Sequence, residues 1–84
     1  MNVYEQIESI ETKRDLVKFI DILEKDFKTN SDSWENVTLE TYLQALGAWI
    51  NDMDGYFNNI NEPAPDAPTW KLIGIMLLAA SRYE

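Results

Sequence analysis

Apolar residues recur three and four positions apart along most of the chain. Leu16, Phe19, Ile20, Leu23 and Phe27 fall within about 100° of arc on a helical wheel, one face of a helix. Thr12 stands ahead of them with Asp15 three places on, the pattern of a capping box, so a helix is predicted over 12–29. The turn-forming run Thr29-Asn30-Ser31-Asp32-Ser33 ends it. Asp21 and Lys25, then Glu24 and Lys28, are acid-before-base pairs four apart that support the same helix. A longer stripe follows. Leu39, Tyr42, Leu43, Leu46, Trp49, Ile50, Met53, Phe57 and Ile60 share about 120° of one side, with Glu40, Gln44, Asn51, Asp54 and Asn58 opposite. Thr38 is the natural N-cap, Val37 a staple for Tyr42, and the helix is predicted over 38–60 as a core face, with Gly55 as a point of kinking or fraying.

Residues 61–68, Asn-Glu-Pro-Ala-Pro-Asp-Ala-Pro, cannot continue that helix, because three prolines each remove a donor and fix φ. They read as a stiff surface connector. The third helix is predicted over 69–83, capped by Thr69. Leu72, Ile73, Ile75, Met76, Leu77, Leu78, Ala79 and Ala80 make it apolar all round, which requires neighbours on more than one face. Gly74, Ala79 and Ala80 permit close approach by another helix. Val3, Ile7 and Ile10 share a side and predict a short N-terminal helix, although the alternation from Gln6 to Ile10 also fits a strand. The resulting expectation is all-α: a single domain over 1–84, a compact bundle of three main helices and a short first one. Phe19, Leu23, Leu46, Trp49, Ile50, Met53, Leu77 and Leu78 are its expected core.

The chain has 84 residues, without cysteine or histidine. That removes disulfides, a thiolate nucleophile, a histidine base and zinc sites built on nitrogen or sulfur. Fifteen acids against seven bases give a net charge of −8, which opposes binding to phosphate backbones or anionic lipid. The charge is unevenly placed. Residues 29–70 hold seven acids (Asp32, Glu35, Glu40, Asp52, Asp54, Glu62 and Asp66) and no base. The start of the chain lacks the basic and apolar regions of a signal peptide, and the apolar stretch 72–80 is too short to span a bilayer. A cytoplasmic protein is expected.

Candidate chemistry is sparse. Asp52-Met53-Asp54-Gly55 hints at a calcium loop, but with Gly55 at position six, positions one and twelve fall on Ile50 and Asn61, which are not acids. No serine has a base nearby in sequence, and the three glycines are isolated within helical patterns rather than gathered in a phosphate loop. The helix over 38–60 has no Lys or Arg to read DNA. No catalytic, cofactor-binding or metal-binding residue is expected. Trp49 belongs to the core stripe. Trp34 and Trp70 are either lids on the bundle ends, each indole meeting a backbone carbonyl, or anchors at an interface. Asn36 is expected to bond local backbone and fix its turn.

Trp34-Glu35-Asn36, Asp54-Gly55-Tyr56, the Thr12-Lys13 helix entry and the terminal Ala79-Ala80-Ser81-Arg82-Tyr83-Glu84 resemble a family of small bacterial proteins filed as a domain of unknown function. The resemblance covers nearly the whole chain and implies neither an activity nor any catalytic or binding residue. Two functions of different class fit the composition. One is a non-enzymatic acidic module that binds another protein, a type that includes immunity proteins and antitoxins. The other is a homo-oligomeric structural or accessory domain, a homodimer among the forms it can take. For the first, the candidate partner-binding residues are Trp34, Glu40, Asp54, Glu62, Asp66 and Trp70, and the expected partner is a protein with a basic surface. Nucleic acid, membrane and cofactor are not expected.

Overall fold

A computed structural model describes residues 3–83; Met1, Asn2 and Glu84, the last residue of the Tyr-Glu terminus, lie outside it. The helices are α1 (Val3–Gln6), continued by a 3-10 turn at Ile7–Ser9, α2 (Lys13–Asn30), α3 (Leu39–Asn59) and α4 (Trp70–Arg82). A second 3-10 turn, Ser31–Ser33, follows α2, and there is no strand among the described residues. The protein is an all-α bundle. The stretch from Gln6 to Ile10 resolves as helix and turn, with Val3, Ile7 and Ile10 all buried.

Each main helix starts one residue after a threonine, because the cap itself is extended. Thr12 Oγ1 accepts from the Asp15 amide at 3.1 Å, and the Asp15 carboxylate accepts from the Thr12 and Glu11 amides at 3.2 and 3.0 Å. These backbone donors, that of Glu11 foremost, hold the Asp15 carboxyl below its usual pKa. Thr38 takes the Thr41 amide and Thr69 takes the Leu72 amide in the same way. α3 runs unbroken through Gly55 and stops in a Schellman turn. Asn61 sits at φ 58°, and the Glu62 amide reaches back to the Phe57 carbonyl at 3.0 Å.

α4 is the central layer. On one side Trp49, Phe57 and Leu72 form a cluster with Met53, Met76 and Ala79 around them. On the other, Leu78 joins Val3, Ile7, Ile10, Leu16, Phe19 and Leu23. An all-apolar helix has thus been covered from both sides, as its sequence requires. α2 and α3 both pack on α4 and scarcely meet each other.

That layering corrects the expected core. Phe19, Leu23, Trp49 and Leu78 are buried, while Leu46, Met53 and Leu77 are only half-buried. Ile50 is exposed. The α3 stripe is not a continuous core face, since Leu39 is 74% and Leu43 54% exposed. Ile20 and Phe27 on α2 are exposed as well. The physical reason is that α4 covers only part of each amphipathic arc. Of the exposed residues, Ile20, Phe27 and Leu39 face a gap between α2 and α3.

Candidate interaction surface

The gap begins where α2 ends, α3 starts and α4 ends. Three segments are tied together there by polar contacts. The Glu35 and Asn36 amides both donate to the Ser81 carbonyl, at 2.8 and 3.1 Å. The Asn36 side-chain amide donates to the carbonyls of Ala80 (2.9 Å) and Tyr83 (2.7 Å). Trp34-Glu35-Asn36 therefore caps the free carbonyls at the end of α4. Asn36 does not fix its own turn, as expected from sequence; it bonds residues 44 and 47 positions away.

Trp34 is half-buried beside this cap. Its indole N–H donates to the Asp26 carboxylate at 2.8 Å, not to a backbone carbonyl. Arg82 donates to the same carboxylate oxygen at 3.2 Å and lies over the rings of Tyr4 and Trp34, 5.3 and 5.7 Å from their centroids. A second Arg82 nitrogen donates to the fully buried Ser81 hydroxyl. Burial pushes the Asp26 carboxyl up, but the hydrogen bonds from Trp34, Arg82 and Asn30 and the Arg82 charge outweigh it and hold it below the usual value. The Trp34 ring meets Phe27 edge-on and stacks on Tyr42, whose hydroxyl donates to the Leu77 carbonyl at 2.7 Å. Burial raises the Tyr42 phenol.

Beside this clip opens a groove of about 280 Å³. Ile20, Leu23 and Phe27 form one wall, Leu39 and Tyr42 the other, and Trp34 and Val37 close the end. Its polar members are Glu24, Asn36 and Thr38. Asn36 is engaged with α4, Thr38 caps α3, and Glu24 pairs with Lys28 at 3.4 Å. What remains presented is apolar. Beyond the cavity the same surface continues along α3, where Leu39, Leu43, Leu46 and Ile50 stand at four-, three- and four-residue intervals and so share a side. The predicted staple of Val37 on Tyr42 leaves Val37 51% exposed on this surface.

The structure divides the predicted partner-binding residues between two ends. Trp34 lines the groove, and Glu40 is exposed at the start of α3 but is not among the lining residues. Asp54 is exposed on α3, fourteen residues beyond Glu40 and about 21 Å along the axis. Glu62, Asp66 and Trp70 are exposed at the other end, where α3 stops and α4 starts. Glu62 borders a separate cavity with Pro63, Pro65 and Lys71, beside the Glu8–Lys71 ion pair of 2.9 Å. Asp52, of the calcium-like stretch, instead accepts a hydrogen bond from the Tyr83 hydroxyl, whose pKa that bond raises. The described residues contain no group of three or more acids placed to hold a metal ion, and none of their helices is long and apolar enough to cross a membrane. Sequence reasoning missed Asp26, Tyr42 and Arg82 as the polar frame of the groove. Only the Ser81-Arg82-Tyr83 string of the resemblance pointed towards it.

The family model described as a family of unknown function (DUF7660) matches residues 12–84. The chain belongs to this family. The match starts at the Thr12 cap of α2 and takes in the α4 clip and both walls of the groove. No curated protein and no solved structure matches the chain.

Proposed function

We propose that this member of the family is a non-enzymatic acidic module that binds another protein, the type of molecule to which immunity proteins and antitoxins belong. The apolar groove between α2 and α3 carries the reading. Large apolar side chains from two helices stand exposed on one surface, and surfaces of that kind mark sites of protein association. The groove offers no nucleophile beside a base, and its few polar groups are occupied. On this reading the module works in the cytoplasm, against a protein with a basic surface, without nucleic acid, membrane or cofactor.

The test is a double substitution, Leu39→Gln with Leu43→Gln. Both side chains are largely exposed, so thermal stability should stay within about 0.5 kcal/mol of the native protein. Proteins captured from a lysate of the native cells should be lost. An unchanged set of captured proteins rules the groove out. Light scattering that shows a stable homodimer at micromolar concentration favours the structural or accessory alternative instead.

A further inference from the structure

We infer that residues 3–10 are a strap that closes an apolar seam on α2 and α4 and opens from it as a unit, while the bundle of α2, α3 and α4 stays folded. This face is distinct from the α2/α3 groove, and the inference does not rest on that reading. Side-chain contacts hold the strap. Val3, Ile7 and Ile10, at i, i+4 and i+7, share one face and are 5, 6 and 3% exposed. They form one cluster with Leu16, Phe19 and Leu23 of α2 and Leu78 of α4. The bare Cα of Gly74 makes room on α4 for the Ile10 side chain. Glu8 pairs with Lys71 at 2.9 Å near the start of α4, and Arg82 at its end lies over the Tyr4 ring. The strap therefore runs antiparallel to α4.

The attachment is separable because little besides the three anchors secures it. Both edges are loosely packed. A cavity of about 300 Å³ lies between Tyr4, Ile7 and Glu8 and the Trp49 and Tyr56 side chains of α3. Another, of about 210 Å³, lies between Gln6 and Ser9 and the Lys18 and Ile22 side chains of α2. The ion pair is weak, since 75% of the Glu8 side chain is open to water. The Ile10 amide and the Ser9 hydroxyl bond locally, to the Ile7 and Gln6 carbonyls. A four-residue helix and a 3-10 turn have no stability of their own, so the segment unwinds whole once its anchors leave. α2 starts on its own capping box at Thr12 and Asp15, and the family match starts at the same cap. Segments attached in this way open at lower free energy than the whole fold. Charge fits the strap to its seam. Residues 3–11 carry Glu5, Glu8 and Glu11 and no base, whereas Lys71 and Arg82 are the two bases that follow Lys28 in the chain. Opening bares an apolar seam with a base near each end, on a protein whose net charge is −8.

The chain has no cysteine, so a single introduced thiol reports when a buried position meets solvent. Val3→Cys and Ile7→Cys, each in the full chain, are exposed to a thiol reagent at increasing urea. Unfolding of the same variants is followed by circular dichroism. The opening constants at the two positions should agree within about threefold and exceed the global unfolding constant by at least about tenfold. They should also depend less steeply on urea, because opening exposes less surface than unfolding does. Glu8→Lys in either variant should raise the opening constant about two- to fivefold and leave the circular dichroism of the bundle unchanged. If the thiol at position 7 reacts only as fast as global unfolding allows, the segment is part of the bundle and the inference is overturned, however fast position 3 reacts. If Ile7→Cys does not fold, the segment is not separable and the inference falls in the same way.

Discussion

Gly47 and Gly74 both lie inside helices, and their surroundings assign them opposite roles. A Cβ on Gly47 would meet nothing within 4 Å, and the same holds for Gly55. A Cβ on Gly74 would lie 2.6 Å from Ile10 Cδ1 and 3.6 Å from the Cδ1 atoms of Ile7 and Leu16. The missing side chain leaves room for the buried Ile10 side chain against α4, while the distances to Ile7 and Leu16 are those of ordinary contact. Gly47→Ala should therefore raise stability by about 0.5–1 kcal/mol, the ordinary gain of alanine over glycine in a helix. Gly74→Ala should forfeit that gain and lower stability by about 1 kcal/mol through overpacking of buried Ile10. Urea unfolding of the two variants measures the difference, and equal effects would refute the packing role. Sequence alone could place Gly74 on an apolar helix but not say which neighbour arrives there.

Among the elements, α4 depends most on others. It is apolar on all sides, and its end is held by residues from two distant segments. Asp26 and Arg82, with side chains 13 and 20% exposed, form the central pair of that clip. Arg82→Met would leave a poorly hydrated carboxylate without its cation and should cost roughly 2–3 kcal/mol. The pair also gives the protein an acid-sensitive joint. The Asp26 carboxyl titrates below its usual value in the folded protein, so its contribution is complete at neutral pH. It is lost as pH falls below about 4, through the lowered value. Unfolding by urea at pH 7 and pH 3 should show a smaller acid-induced loss in Asp26→Asn than in the native protein. A parallel loss in both would place the acid sensitivity elsewhere. α3 is the opposite case. Its N-cap is local and readable from Thr38, whereas the Thr41 half of the cap and the terminating turn at Asn61 appear only in the structure. Its stripe, however, gives no sign of where cover ends, because a leucine left exposed has the same periodicity as one destined for the core.

At the scale of the whole molecule, charge and dimensions act together. The chain extends over 34 × 27 × 18 Å. At about 0.01 M salt the screening length is about 30 Å, so the fifteen acids repel one another across the entire molecule. At about 0.15 M it falls to about 8 Å, and only neighbours interact. Thermal unfolding followed by calorimetry should shift upward by several degrees between these conditions, since about 1 kcal/mol corresponds to about 4–8 °C for a domain of this size. A midpoint insensitive to salt would mean that the repulsion is offset within the fold. The exposed Lys25–Asp21 and Lys28–Glu24 pairs, at 2.8 and 3.4 Å, work against this trend only weakly, because surface pairs of this kind contribute little.

Local interactions reach only three or four residues along a helix, and the sequence by itself determined what they govern. The Thr12, Thr38 and Thr69 caps, the break at the proline-rich connector, the i,i+4 ion pairs and the need of α4 for neighbours on two faces all follow from such contacts. The all-α class follows from the periodicity. The tertiary structure alone decided which arcs of α2 and α3 meet α4 and which stay open. It alone took Asn36 from its own turn to the end of α4, and joined Asp26, Trp34 and Arg82 across as many as 56 residues of chain. An amphipathic stripe records that a face must be covered. Only the relative placement of the helices settles how much of it the protein covers itself, and here Leu39, Leu43 and Ile50 are left to the surface.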